Sequence, residues 1–181
     1  MEAVAGGLNS RGWLVHRFAF PYMRCAQEMG RRRPPDRAPV LLNCFREVVG
    51  EVSSDRPVFI GGKSMGGRIA SMLLNELSSS GAVRAGLCFG YPFHPFGQPS
   101  RVRTEHLEQL KAPLLILQGE RDPMGCAEEV SRYDLKPPLQ LQWIPDGDHS
   151  FKPRKRSGRT EEMNCDLAVE LADQFMRAVL A

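Results

Sequence analysis

Short apolar runs alternate with segments whose apolar residues recur every three or four positions, and the alternation continues along the whole chain. Five runs predict β-strands: Trp13 to Phe20, Pro57 to Ile60, Val83 to Tyr91, Pro113 to Gln118 and Leu139 to Ile144. Most are nearly continuous in apolar residues, as strands covered on both faces must be. Between the first two, Val40, Leu41, Cys44, Phe45, Val48, Val49 and Val52 form one stripe at helical spacing. The Pro34-Pro35 pair marks its start, and Asp36 is placed to cap it. A second helix is predicted directly after Gly62-Lys63-Ser64, with Ile69, Leu73 and Leu77 on one face. A third carries Leu167, Ala168, Leu171, Ala172, Phe175, Met176, Val179 and Leu180 in two adjacent columns, a face made for a sheet. Two proline-rich stretches, Tyr91 to Ser100 and Phe151 to Thr160, read as surface loops. With no internal repeat and no sustained linker, the expectation is a mostly parallel, doubly wound α/β sheet flanked by helices, one domain over residues 1–181.

Composition narrows the classes. A chain of 181 residues that is 42% hydrophobic and 25% charged is too apolar for intrinsic disorder and matches an ordinary globular domain. Lys and Arg number 24 against 21 Asp and Glu, a net charge of +3, which makes no case for a nucleic-acid partner. The longest apolar runs, such as Leu114 to Leu117, fall far short of the roughly 20 residues that cross a bilayer, so no membrane partner is expected. The five cysteines are odd in number, scattered and without a C-x-x-C pair, which argues against a disulfide framework and against a structural metal site. Met1 to Gly12 has neither a basic start nor a continuous apolar stretch, so a reduced, cytoplasmic protein is expected.

The chemistry concentrates after the apolar runs. Val58 to Gly67 reads as a strand, then G-x-S-x-G, then a helix, the context of a nucleophile elbow. There a serine, Ser64, sits on a strained turn with Gly62 and Gly66 leaving room for the backbone, and the Met65 N–H points to where an oxyanion would form. A serine needs a base and a group to orient it. Asp122 follows the buried run Leu114 to Gln118, and His149 follows Leu139 to Ile144. Sites in open α/β sheets form beyond the carboxyl ends of strands, where all three residues fall, in the order serine, acid, histidine. Glu120 is the rival for the orienting role, and Asp146 and Asp148 are further acids nearby. Lys63 reads as solvated, Cys88 as a core residue and Cys126 as a helix start. The basic run Lys152 to Arg156, just after His149, could favour acidic substrates, while Arg31 to Arg33 reads as a solvated loop.

These residues carry a resemblance to the α/β-hydrolase superfamily, and within it to the small dienelactone-hydrolase-like branch that includes a hydrolase-like domain of a chromatin-complex subunit. Phe20 to Met23, Arg32 to Asp36, Gly61 to Arg68, Gly90 to Pro95, Arg103 to Leu107, Gln118 to Asp122 and Asp148 to Pro153 all look like that branch. The resemblance implies Ser64 as nucleophile, Asp122 as orienting acid, His149 as general base, Met65 N–H as one oxyanion donor, and a Tyr91 to Pro95 loop bordering the site. It also implies earlier strands and an H-G-x-G-type loop that would precede Met1, so the domain is expected to lack its first strands and Met1 to be internal to a longer chain. The implied function is hydrolysis of a small-molecule carboxylic ester or thioester through an acyl-enzyme, with no cofactor. The alternative is a catalytically weak scaffold that binds protein. A cysteine-nucleophile version fails at position 64, where serine stands. Oligomeric state is not legible.

Overall fold

The computed structural model describes residues 1–52 and 56–181. Four strands, β1 (Phe59–Lys63), β2 (Ala85–Phe89), β3 (Leu114–Gly119) and β4 (Leu139–Ile144), form one parallel sheet in the order β1-β2-β3-β4. Every residue of β2 and β3 is buried, because these strands have neighbours on both edges and helices on both faces. The outer strand β4 alternates instead, its exposed positions being Gln140 and Gln142.

The helices divide between the two faces. The stripe of α3 (Ala38–Glu51) and that of α4 (Met65–Ser79) bring Leu41, Phe45, Ile69, Leu73 and Leu74 against Cys88, Leu114 and Ile116. On the other face α1 (Glu2–Asn9) and α6 (Glu161–Leu180) bring Val4, Leu8, Ala168, Val169, Ala172 and Phe175 against Leu87, Phe89, Leu115 and Leu117. Each fully buried aliphatic or aromatic side chain here contributes about 1.5–3 kcal/mol. Thr160 caps α6 by accepting the Met163 N–H at 3.1 Å. Two short helices, α2 (Pro21–Glu28) and α5 (Ala127–Val130), and a single 3₁₀ turn at Lys155–Ser157 complete the elements. No helix among the described residues is long and apolar enough to cross a membrane.

The expected α/β sheet flanked by helices is therefore present, with corrections. Trp13 to Phe20 is not a strand. A strand exists only as one side of a backbone ladder, and among the described residues no strand lies along this segment. Its side chains anchor it instead: Trp13 donates to Asp173 of α6 at 2.6 Å and meets Phe59 edge to face, while Phe18 and Phe20 pack on Phe45 of α3. The segment thus passes from one face of the sheet to the other. Asp36 does not cap α3, whose N-cap is Arg37; its carboxylate accepts the Tyr22 N–H at 3.0 Å and ties down the start of α2. The first half of the Tyr91 to Ser100 stretch is not on the surface, because Tyr91 and Phe93 lie fully buried in the α3/α4 core.

Close backbone approach carries the sheet's last turn. A Cβ on Gly119, the final residue of β3, would lie 2.3 Å from the Asp148 carbonyl oxygen and 2.5 Å from that of Gly147. Gly119→Ala therefore forces the 147–149 backbone away from β3, and we expect a loss of about 1–3 kcal/mol in urea unfolding, as for an overpacked core.

Candidate active site

Ser64 joins β1 to α4 with φ 53° and ψ −116°, a conformation that a residue with a Cβ adopts only where the surroundings hold it. The Ser64 N–H donates to the Phe89 carbonyl at the end of β2, 3.1 Å away, and the Ser64 carbonyl accepts the Arg68 N–H at 3.0 Å, starting the helix. The turn is tight because β1 and α4 nearly touch. A Cβ on Gly62 would stand 2.7 Å from the Gly66 carbonyl carbon. Gly66 itself is not the second essential gap, since a Cβ there meets open space. That requirement passes to Gly67, whose Cβ would meet the Gly62 oxygen at 2.7 Å and Cys88 at 3.1 Å. The expectation for Gly66 is corrected accordingly: one helical residue further on, the missing Cβ points at the sheet rather than at solvent. Among the described residues, no acceptor meets the Met65 N–H, which lies in the first turn of a helix of 15 residues. That turn carries the positive end of the helix dipole.

Asp122 and His149 are brought together. Asp122 is fully buried in the turn after β3, and its Oδ2 accepts from His149 Nδ1 at 2.7 Å. A buried carboxylate needs every lone pair answered. Oδ1 accepts the Met124 N–H at 2.8 Å, and Oδ2 also accepts Gln118 Nε2 at 2.9 Å. Since a carboxylate only accepts, the proton of this bond is carried by His149 Nδ1 and Nε2 is the ring nitrogen turned away from Asp122. Gly90 lies under the ring, where a Cβ would be 3.3 Å from Nδ1. Lys63 is not simply solvated: its Nζ donates to Ser150 Oγ at 2.7 Å, so the residue before Ser64 is tied to the residue after His149. No hydrogen bond joins Ser64 to His149 among the described residues.

The rival groups have other work. Glu120 accepts the Asp146 N–H at 2.7 Å, and Asp148 accepts the N–H groups of Ser150 and Lys152. Asp146 pairs with Arg154 and Arg121, and the hydrogen bond from Arg154 holds its carboxyl at about 2. The basic run after His149 is thus partly neutralised within its own loop. His94 meets Glu129 and the Pro95 carbonyl, His106 meets Ser71, and His16 is exposed. Cys88 is a core thiol that burial pushes up, and Cys126 is the N-cap of α5. Among the described residues, no group of three His, Cys, Asp or Glu side chains is placed to hold a metal ion.

Sequence reasoning passed over Gln118. It is the penultimate residue of β3 and fully buried, its Oε1 accepts the Tyr91 N–H at 2.7 Å, and its Nε2 reaches Asp122, Tyr91 O and Gly125 O within 3.1 Å. The available signal was a single amide closing an otherwise apolar strand.

The sequence profile of the alpha/beta hydrolase domain family matches residues 1–177. Among solved structures, an esterase domain from a Rhodothermus marinus protein superposes with a TM-score of 0.67 at 15% identity, covering 98% of this chain and 78% of that one. An alpha-beta serine hydrolase homologue from Coxiella burnetii gives 0.61 at 18% identity, covering 94% and 74%. At these identities the likeness is one of fold.

Replacing Gln118 by Leu would strand the Tyr91 N–H and the Gly125 carbonyl in the core and remove a donor from Asp122, while the Tyr91 carbonyl keeps the Phe93 N–H at 3.1 Å. We expect Gln118→Leu to cost about 2–5 kcal/mol in urea unfolding, several times the loss for an exposed amide such as Gln174.

Proposed function

Because the chain belongs to the alpha/beta hydrolase domain family and has its fold, we propose that it is a serine hydrolase cleaving carboxylic esters or thioesters of small molecules. The observation that carries this reading is the bond between His149 and a wholly buried Asp122, at the same end of the sheet as the strained Ser64 turn. A buried carboxylate beside a largely buried imidazole is costly to build for stability alone, whereas it orients a base and stabilises the imidazolium that forms when the base takes a proton.

In this mechanism Ser64 Oγ attacks the substrate carbonyl while His149 Nε2 takes its proton. The oxyanion of the tetrahedral intermediate faces the Met65 N–H and the N-terminus of α4. Collapse breaks the bond to the leaving alcohol or thiol, which receives the proton from His149. Water then gives a proton to His149 and attacks the acyl-enzyme, and a second collapse releases the acid and restores Ser64. The Ser64 to His149 hydrogen bond closes in the loaded site, since such contacts tighten when the substrate binds. The Lys63 to Ser150 bond limits how far the two loops can separate.

A fluorophosphonate probe should add one label to the folded chain by intact mass, and none to Ser64→Ala or His149→Ala. Asp122→Asn should keep the fold and lower p-nitrophenyl ester hydrolysis by about 10³–10⁴, the cost of an imidazole held in the wrong tautomer. A folded wild-type chain that takes no label, or a label that survives Ser64→Ala, would rule the reading out.

A further inference from the structure

Beside the elbow lie two arginines that no acid neutralises among the described residues. Arg68 follows Ser64 by one turn of α4, a rise of about 6 Å, and its N–H donates to the Ser64 carbonyl. Arg103 comes from the segment after the Tyr91 loop, its N–H bound to the Phe93 carbonyl at 2.8 Å. Arg46, Arg121, Arg132, Arg154 and Arg177 each hold a carboxylate, but Arg68 and Arg103 hold none among the described residues. Arg68 Nε is buried and has no acceptor among the described residues. A buried donor left unpaired costs free energy, and a guanidinium more so because its charge is uncompensated.

We propose that Arg68 and Arg103 receive an oxyanionic group, carboxylate or phosphate, carried by the substrate a few bonds from its scissile carbonyl. The surroundings are built for it. Ser71 Oγ donates to the Arg68 carbonyl at 2.8 Å and stands 2.9 Å from His106 Nε2. The Tyr91 hydroxyl donates to the Arg103 carbonyl at 2.8 Å, fixing that segment against the core. The charged and titratable groups bearing on the Arg103 guanidinium are Arg68, Tyr91 and Arg101, none of them a carboxylate. The field is strong enough to act on its neighbours: burial and the Arg68 charge together depress the His106 imidazole to about 4. Burial and the charge of Arg68 also lower Arg103. An oxyanion between the two side chains supplies the missing acceptor and offsets that repulsion. Arg68 stands one helical turn from Ser64, which keeps an anion held there on the substrate's acyl side near the nucleophile.

This assignment rests on the serine-hydrolase reading for its link to a scissile bond, and the test separates the two. Mono-p-nitrophenyl adipate and p-nitrophenyl hexanoate share a leaving group and chain length and differ by a terminal carboxylate. The wild type should prefer the adipate ester, less so as salt rises. The ratio of the two kcat/KM values should fall about 10- to 100-fold in Arg68→Gln and in Arg103→Gln, the loss expected for a charge-assisted hydrogen bond, with Arg68→Lys retaining part of it. In parallel, adipate and inorganic phosphate are titrated calorimetrically into the wild-type chain and both glutamine variants, with folding checked by circular dichroism and the His106 pKa followed by NMR. Binding that needs both arginines and raises the His106 pKa supports the site, and the tighter anion names the group. If neither ester is hydrolysed yet such binding is found, the hydrolase reading fails and the anion site stands. A ratio that neither variant moves, or anion binding that is absent or equal in wild type and variants, overturns the proposal.

Discussion

A negative charge with no contact to solvent sits at the end of β3, and the site is arranged around answering it. Asp122 is fully buried, and each of its oxygens is met by a donor from a different part of the chain: the amide of Gln118, the backbone of Met124 and the imidazole of His149. Removing any of these would leave lone pairs of a charged group without water or partner, a large penalty in a low-dielectric interior. The consequence is positional. The loop after β4 must deliver His149 to that oxygen, Gly119 and Gly90 must stay bare so that the loop can approach, and Gln118 must turn inward. The same Gln118 side chain pins the Tyr91 backbone, so the segment that begins the Arg103 region hangs from the same knot.

The sheet supplies the rigidity that makes this arrangement useful. β2 and β3 are buried at every residue, and the strand ends they present move little because both faces are packed. Ser64 is held in its strained conformation by two backbone bonds, one to β2 and one into α4, and by the close approach of Gly62 and Gly67. Such strain persists only where the fold over-determines it. The Lys63 to Ser150 bond then couples the serine turn to the histidine loop outside the core.

Charge is distributed unevenly around the site. The basic run after His149 spends Arg154 on Asp146, so its presence in sequence overstates its field. Arg68 and Arg103 are less conspicuous in sequence, being separated by 35 positions, yet among the described residues they share one neighbourhood with no carboxylate paired to either. Net charge is therefore a poor guide to where an anion would bind, and pairing is the better one.

Much of the fold was legible because its signals are local. A parallel strand covered on both faces must be continuously apolar, a helix on a sheet must carry a stripe, and glycines around a serine between the two mark a tight strand-to-helix turn. Leu139 to Ile144 was placed to the residue, and β1, β2 and β3 to within a few. Trp13 to Phe20 misled because its apolar content is that of a strand, whereas strandhood depends on a neighbour's backbone that no residue of the segment can specify. Asp36 and Gly66 misled for the same reason: whether a carboxylate caps a helix or ties down another turn, and whether a missing Cβ faces a strand or solvent, depends on what lies across from it. Sequence by itself determined the layering of the chain and the order of Ser64, Asp122 and His149, since both follow from hydrophobic periodicity and from residue type at strand ends. Tertiary structure alone decided which acid meets His149, that Gln118 supports it, and that Arg68 and Arg103 stand together without a counterion among the described residues, because those outcomes depend on distances between residues far apart in the chain.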